Sequence, residues 1–343
     1  MRTAGWSTML AVLLLAGCGD DAAPPLQALT LDPTRVAVAG ISSGATMAQQ
    51  VHLAYSDRIG GAALVAGSPA GCAENSLDFA LSRCIKGAPQ GPSAPALAAR
   101  ARALADAGRI APLEGLAGDR VLVTRGASDA LVAAAVTRAA HDLYPALEHA
   151  AGQSFSPAMT LAFVEGSFAH VWPTRDAGGD CGTTAAPYIG RCGLDLAGDI
   201  VAALFVTPPV AAPDQARGAP TPFDQNAFLP GGADAFLADT GLVYIPSQCG
   251  EPGRCGLLIA FQGCEQDIGS IGDLFARESG FNRWADVADL VVLYPQTRAT
   301  YMPLNPKACW DWWGYSGAEY DTRDGLQLRW LANAAARLGV RLL

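Results

Sequence analysis

The chain has 343 residues, half of them hydrophobic and 16% charged, so it can bury a sizeable core and is too apolar over most of its length to be disordered. Its net charge of -9, with no run rich in Lys or Arg, offers nucleic acid no electrostatic footprint and suits an extended or neutral substrate.

Met1 to Gly17 joins a single positive charge to an apolar run too short to span a bilayer comfortably, the composition of an export signal. Leu15-Ala16-Gly17-Cys18 matches a bacterial lipobox, so Cys18 is the expected acylated first residue of a mature lipoprotein; an ordinary cleaved signal is the alternative. Either way the product is exported: periplasmic or cell-surface when lipid-anchored, secreted otherwise. Residues 18–30 read as a tether, opening with Gly19-Asp-Asp-Ala-Ala-Pro-Pro25, and 31–343 as a single catalytic domain.

Val36 to Ala45 reads as a buried strand running into a Gly40-x-Ser42-x-Gly44 turn, with helix from Thr46 to Arg58. That is the pattern of a nucleophile elbow, which presents a serine oxygen to a base beside the positive end of a helix. Strands follow at Gly61 to Ala66, Arg120 to Thr124 and Thr160 to Val164, with helices at Pro95 to Ala107, Leu131 to His149 (broken by Pro145) and Leu194 to Phe205. Val206 to Pro222, rich in Pro and Ala, reads as an internal linker. Beyond it, Leu242 to Ile245, Gly256 to Phe261 and Leu290 to Tyr294 are further strands, with helices at Ile271 to Ala285 and Asp324 to Arg337. Alternating strand and helix predict an α/β fold, a mostly parallel sheet covered on both faces.

Setting Cys18 aside leaves eight cysteines, and export places them where disulfides persist. Proximity favours Cys72 with Cys84, Cys181 with Cys192 and Cys249 with Cys255, which leaves Cys264 with Cys309, although eight cysteines admit many pairings. A bridge of this kind contributes on the order of 2 to 4 kcal/mol. No close Cys-x-x-Cys or His-x-x-x-His pair suggests a metal.

A serine nucleophile needs an imidazole to take its proton and a carboxylate to hold that imidazole in one tautomer. Of four histidines, His52 is carried away from the elbow by the following helix, and His141 and His149 fall in a predicted surface helix. His170 alone follows a strand end, where active-site groups gather in open α/β sheets. Asp129 follows its own strand in the same way; Asp176 and Asp180 are its rivals. The expected triad is Ser42, Asp129, His170, in the chain order of α/β-hydrolases. Such a site also needs an oxyanion hole, part of which ordinarily comes from a loop preceding the nucleophile. Only one strand precedes Ser42. The matching piece is Ile259 to Gln266, a strand ending in a glycine turn; if it is the partner loop, the N–H groups of Ser43 and Cys264 donate, the fold is a circularly permuted α/β-hydrolase, and the Pro/Ala stretch joins the former termini.

Four groups of residues carry a family likeness: Gly40-Ile-Ser-Ser-Gly44 with Met47-Ala48; Gly126-Ala-Ser-Asp129; Ala169-His170 with Pro173-Thr174 and the Cys181 to Cys192 loop; and Gln262-Gly-Cys-Glu-Gln266 with Tyr294-Pro-Gln296 and Asn305-Pro-Lys-Ala-Cys-Trp-Asp-Trp312. On these, the chain resembles the single-domain, circularly permuted poly(3-hydroxybutyrate) depolymerases over roughly Val36 to Trp330. The resemblance implies the same triad, Cys264 as oxyanion donor bridged to Cys309, a shallow apolar crevice for a polyester, and no cofactor. It departs where the family often has His before Gly263, here Gln262, and a Gly-Tyr pair, here Ala45-Thr46. Within the aromatic cluster Trp310, Trp312, Trp313 and Tyr315, family position favours Trp310 and Tyr315 as substrate contacts.

The resulting expectation is an exported, monomeric serine esterase acting on polyhydroxyalkanoates or their oligomers, its only membrane partner a bilayer reached through Cys18. Alternatives are an esterase for acylated polysaccharide or small esters, and an inactive polymer-binding lipoprotein on a hydrolase scaffold.

Overall fold

The computed structural model describes Met1, residues 22–205 and residues 213–343. Residues 2–21, which hold the rest of the expected export signal and Cys18, and residues 206–212 of the Pro/Ala stretch lie outside the described residues.

The main strands are β1 (Val36–Ile41), β2 (Gly61–Val65), β3 (Arg120–Gly126) and β4 (Thr160–Gly166). A small three-stranded sheet follows, made of β5 (Trp172–Thr174), β6 (Gly179–Asp180) and β7 (Ile189–Arg191). The main sheet then resumes with β8 (Thr221–Asp224), β9 (Thr240–Tyr244), β10 (Gly256–Phe261) and β11 (Leu290–Tyr294). Its order is β4-β3-β2-β1-β10-β11-β9-β8; the pairs from β4 to β11 are parallel, while β9 and β8 add antiparallel.

Successive side chains of a strand point to opposite faces, and here both faces are apolar. Val36, Val38, Leu257, Ile259, Val291 and Leu293 enter one core; Ala37, Ala39, Ile41, Leu258, Ala260 and Val292 enter the other. That is why these strands read as unbroken hydrophobic runs. The first core is closed by α1 (Ser43–Ala54), α3 (Ala94–Asp106), α4 (Ala134–Ala151) and α9 (Leu326–Arg337), the second by α5 (Leu196–Phe205) and α8 (Phe281–Ala288). The short α2 (Leu77–Leu81), α6 (Ile268–Ile271) and α7 (Leu274–Glu278) border loops at the strand ends.

Several boundaries differ from expectation, each for a local reason. The helix after the elbow begins at Ser43 and ends at Ala54. α4 runs through Pro145 unbroken, because Pro145 is exposed and water can take up the carbonyl that lacks its N–H partner. The single helix expected over Ile271 to Ala285 is split into α6, α7 and α8 by Gly272 (φ 63°) and Gly280 (φ 90°), which turn the chain through left-handed conformations. Thr221 and Pro222, expected in a linker, open the edge strand β8, whose position tolerates a proline. The tether ends earlier than residue 30. The Asp224 N–H donates to Pro24 O (2.8 Å), Leu26 is buried, and Leu29 and Leu31 N–H groups donate to the carbonyls of Arg337 and Leu338.

β1 and α1 approach each other and the end of β10 so closely that two positions have no room for a side chain. A Cβ on Gly40 would lie 2.3 Å from Gly44 O, and one on Gly44 would lie 2.3 Å from Gln262 O. Both obstacles are backbone. Gly44→Ala is therefore expected to cost more than about 3 kcal/mol or to prevent folding, as a severe backbone clash in a packed region does; chemical denaturation of the purified variant measures it.

Candidate active site

Ser42 sits at the β1–α1 junction with φ 57° and ψ -121°, an uncommon conformation for a residue with a side chain. Its N–H is tied to Val65 O (2.9 Å), and its carbonyl receives the N–H groups of Ala45 and Thr46. It stands at the N-terminus of α1, whose first amides have no helical acceptor.

Asp129 and His170 come from the loops after β3 and β4. Gly126 makes their meeting feasible, since a Cβ there would lie 1.9 Å from Phe168 O. The loops are stitched by Ala127 N–H to Gly166 O (2.7 Å) and Ser128 N–H to Phe168 O (3.1 Å). His170 Nδ1 donates to Asp129 Oδ2 at 2.8 Å, both side chains being buried. Asp129 Oδ1 accepts from Leu131 N–H (2.8 Å) and Val132 N–H (3.0 Å). Burial alone pushes the Asp129 carboxyl up, but the His170 hydrogen bond and charge and the two amides outweigh it, so the group ionises below the usual aspartate range. His170 N–H donates to Thr184 Oγ1 (3.1 Å), which anchors the residue to the loop closed by the Cys181–Cys192 bridge.

Ser42 and His170 line one cavity of about 490 Å³. Asp129 engages the Nδ1 of His170, leaving Nε2 as the ring nitrogen available on the cavity side. The other histidines are elsewhere. His52 is buried between Tyr144 OH (2.9 Å) and Asp119 Oδ2 (2.9 Å), His141 pairs with Asp142, and His149 lies in the last turn of α4. Asp176 pairs with Arg175, and Asp180 accepts from Thr183, both on the surface.

The turn after β10 enters the same cavity, because β10 pairs with β1 in parallel. Gly263 N–H donates to Gln266 Oε1 (2.8 Å) and Glu265 N–H to Lys307 O (2.8 Å). Among the described residues, the intervening Cys264 N–H and the Ser43 N–H have no protein acceptor. All four expected disulfides are present: Cys72–Cys84, Cys181–Cys192, Cys249–Cys255 and Cys264–Cys309. Gln262, where the resemblance expects histidine, is fully buried and donates to Thr297 Oγ1 (3.2 Å). Thr46 lines the cavity and its hydroxyl donates to Ser68 O (3.0 Å).

The aromatic cluster is arranged differently from expectation. Trp312 and Trp313 line the cavity, whereas Trp310 and Tyr315 do not. Trp310 is buried against Phe261, ring centroids 4.9 Å apart, and its backbone N–H donates to Ser43 Oγ (3.4 Å); Tyr315 turns its hydroxyl back to Cys309 O (2.9 Å). The arrangement is imposed by Asp311, a buried carboxylate that accepts the N–H groups of Trp313, Gly314, Tyr315 and Ser316 and the Ser316 hydroxyl. A carboxylate followed by Gly314 and Ser316 is the signal that reveals this turn in the sequence. Leu77, Leu81 and Ile85 also line the cavity, Leu77 and Ile85 packing against the cluster that holds Trp312 and Trp313; sequence reasoning missed them, although their spacing of four marks one face of a helical segment. Leu81, Leu131 and Leu304 on the wall remain exposed, and Tyr301 and Met302 stand exposed on the adjacent hairpin.

A second cavity, of about 690 Å³, lies among Pro173–Ala177, Asp214–Pro220 and Arg277–Arg283. It contains neither Ser42 nor His170, and its charged lining is largely self-paired, Arg175 with Asp214 and Arg283 with Asp195.

No protein-family model matches the chain. The chain is 36% identical over 326 residues to the poly(3-hydroxybutyrate) depolymerase of Delftia acidovorans, covering 93% of this chain and 62% of that protein. It is 30% identical over 336 residues to the polyhydroxybutyrate depolymerase of Talaromyces funiculosus, covering 94% of each. Two solved structures share the fold at 27% identity. One is a PHB depolymerase variant complexed with an R3HB trimer, with a TM-score of 0.78 over 92% of this chain and 98% of that one. The other is the PHB depolymerase from Penicillium funiculosum, with 0.77 over 93% and 98%.

Because the folded-state value of Asp129 is depressed, its ionisation stabilises the fold above the ordinary aspartate range, and that contribution is lost as pH falls through the folded value. The stability advantage of the native chain over Asp129→Asn is therefore expected at neutral pH and should close in acid. Thermal melts of both proteins from pH 7 down to pH 2 read it.

Proposed function

As the chain belongs to the polyhydroxybutyrate depolymerase family, we propose that it is an exported serine esterase hydrolysing poly(3-hydroxybutyrate) or related polyhydroxyalkanoate esters through an acyl-enzyme. The observation that carries this reading is the opening of Ser42 and of the Asp129-bound His170 into one cavity, beside two amides that have no acceptor among the described residues.

In this scheme His170 Nε2 takes the Ser42 proton as Oγ attacks the ester carbonyl, and Asp129 holds the ring with Nδ1 protonated and stabilises the imidazolium. The tetrahedral oxygen receives the N–H groups of Ser43 and Cys264. His170 then protonates the leaving alcohol, leaving an acyl-Ser42 ester. A water molecule, deprotonated by His170, releases the hydroxyacid and restores Ser42. Every proton transfer is served by His170, so the cycle requires no cofactor. The apolar wall of Leu81, Leu131, Trp312 and Trp313 suits the methyl-bearing chain of a polyester, and the exposed Tyr301, Met302 and Leu304 suit a water-insoluble substrate.

The strand order supports reading the fold as a circularly permuted α/β-hydrolase. The strand carrying the oxyanion turn, β10, comes late in the chain yet lies beside β1, and the edge strand β8 begins just after the Pro/Ala stretch. A lipid anchor at Cys18 would lie six positions before Pro24, whose carbonyl accepts the Asp224 N–H. In the native bacterium Cys18→Ser is expected to move the protein from the membrane fraction to the soluble one.

The decisive experiment is incubation of the purified protein with amorphous poly(3-hydroxybutyrate). Release of monomer or dimer is expected, with Ser42→Ala lowering the rate by at least about 10⁴-fold. Full activity of Ser42→Ala on a soluble aryl ester would sink the mechanism; release of acetate or ferulate from acylated polysaccharide without clearing of polyester would reassign the substrate.

A further inference from the structure

We infer that Gln266 is a positioning residue that fixes the oxyanion turn against the Cys181–Cys192 loop, which in turn anchors His170. The inference rests on the proposed roles of Ser43 and Cys264. Gln266 is buried, and every polar atom of its amide has a partner: Oε1 accepts Gly263 N–H at 2.8 Å, and Nε2 donates to Pro187 O at 3.1 Å and Tyr188 O at 3.0 Å. Of the twenty side chains only a primary amide accepts at one end and donates twice at the other, and glutamine has the longer reach of the two that carry one.

What those bonds join gives them their consequence. The carbonyl of Tyr188, in the loop closed by Cys181–Cys192, also accepts the backbone N–H of Trp172 (2.8 Å), two residues beyond His170. At the other end, Gly263 is wedged between Gln266 and the nucleophile residue: a Cβ there would lie 3.0 Å from Gln266 Oε1 and 3.4 Å from Ser42 Cβ. With the Gly263 N–H consumed by Gln266 and the Glu265 N–H consumed by Lys307 O, the turn presents the single N–H of Cys264 between them. Removing the amide frees a competing donor and lets the turn shift relative to Ser42. An oxyanion donor acts on the transition state rather than on bound substrate, so the loss falls on kcat.

The test compares the native protein with Gln266→Met, which keeps the volume and loses all three bonds, and Gln266→Glu, which keeps the acceptor. Sites are counted by complete labelling with a fluorophosphonate, and kcat and KM are measured on a soluble aryl butyrate. For Gln266→Met the expected result is a 10- to 100-fold lower kcat per labelled site, with KM within about threefold. For Gln266→Glu the expected result is a kcat ratio to the native protein that falls as pH rises and the new carboxyl loses its donating proton. His170, Tyr188, Glu265 and Lys307, the other ionisable side chains on the cavity, are common to both proteins, so the ratio reports the new carboxyl. A native kcat per labelled site in Gln266→Met, or a flat ratio for Gln266→Glu should the Met variant not fold, would overturn the inference. Failure of the native protein itself to take the label would instead overturn the nucleophile assignment on which it rests.

Discussion

The whole site depends on one close approach, that of the first turn of α1 to the end of β10. Gly44 lies where any side chain would collide with the carbonyls of Phe261 and Gln262, so the elbow and the turn after β10 are in backbone contact. That contact sets the spacing between Ser42 and Cys264. It also holds Ser42 in a left-handed conformation whose cost, on the order of 1 to 3 kcal/mol, persists only because the surroundings allow no other path. Parallel pairing of β1 with β10 supplies the register, and the two apolar faces of those strands supply the driving force.

Around this rigid centre the cavity is walled mostly by loops, which have no ladder of their own to define them. Covalent and buried polar ties take that place. Three of the four bridges, Cys72–Cys84, Cys181–Cys192 and Cys264–Cys309, fasten segments at or beside the cavity, and Cys84, Cys264 and Cys309 are on its wall. Asp311 gathers several backbone donors of the tryptophan turn, while Gln266 accepts one backbone N–H from the turn after β10 and donates to two carbonyls of the Cys181–Cys192 loop; in each case a buried side chain selects one loop conformation.

Much of this was legible in the sequence for physical reasons that also mark its limits. Strands buried on both faces announce themselves as apolar runs, and β1, β2, β3, β10 and β11 lie where those runs lie. The meeting of Asp129 and His170 was legible because both follow strands of a parallel sheet, whose ends converge. Edge and loop features were not. β8 carries a proline and only one fully buried residue, so its composition matches a linker, and pairing with β9 decides its state. Gly272 and Gly280 could sit in a helix at modest cost; only packing shows that they turn the chain. Trp310 and Trp312 are two residues apart in one motif, yet one is core and the other wall, a distinction made by the Asp311 turn rather than by residue type.

Two buried aspartates show how far environment governs chemistry here. Burial pushes both carboxyls up. At Asp311 burial prevails, because its partners are neutral amides and a hydroxyl, whose hydrogen bonds offset only part of the desolvation, and the carboxyl stays above its ordinary range. At Asp129 an imidazole stands among the partners, and its hydrogen bond and charge reverse the shift. The carboxylate that stabilises the imidazolium in the proposed mechanism is thus the one whose ionised form the fold favours. The one that only shapes a loop tolerates a less favourable ionisation, since its turn needs acceptor atoms and not a charge.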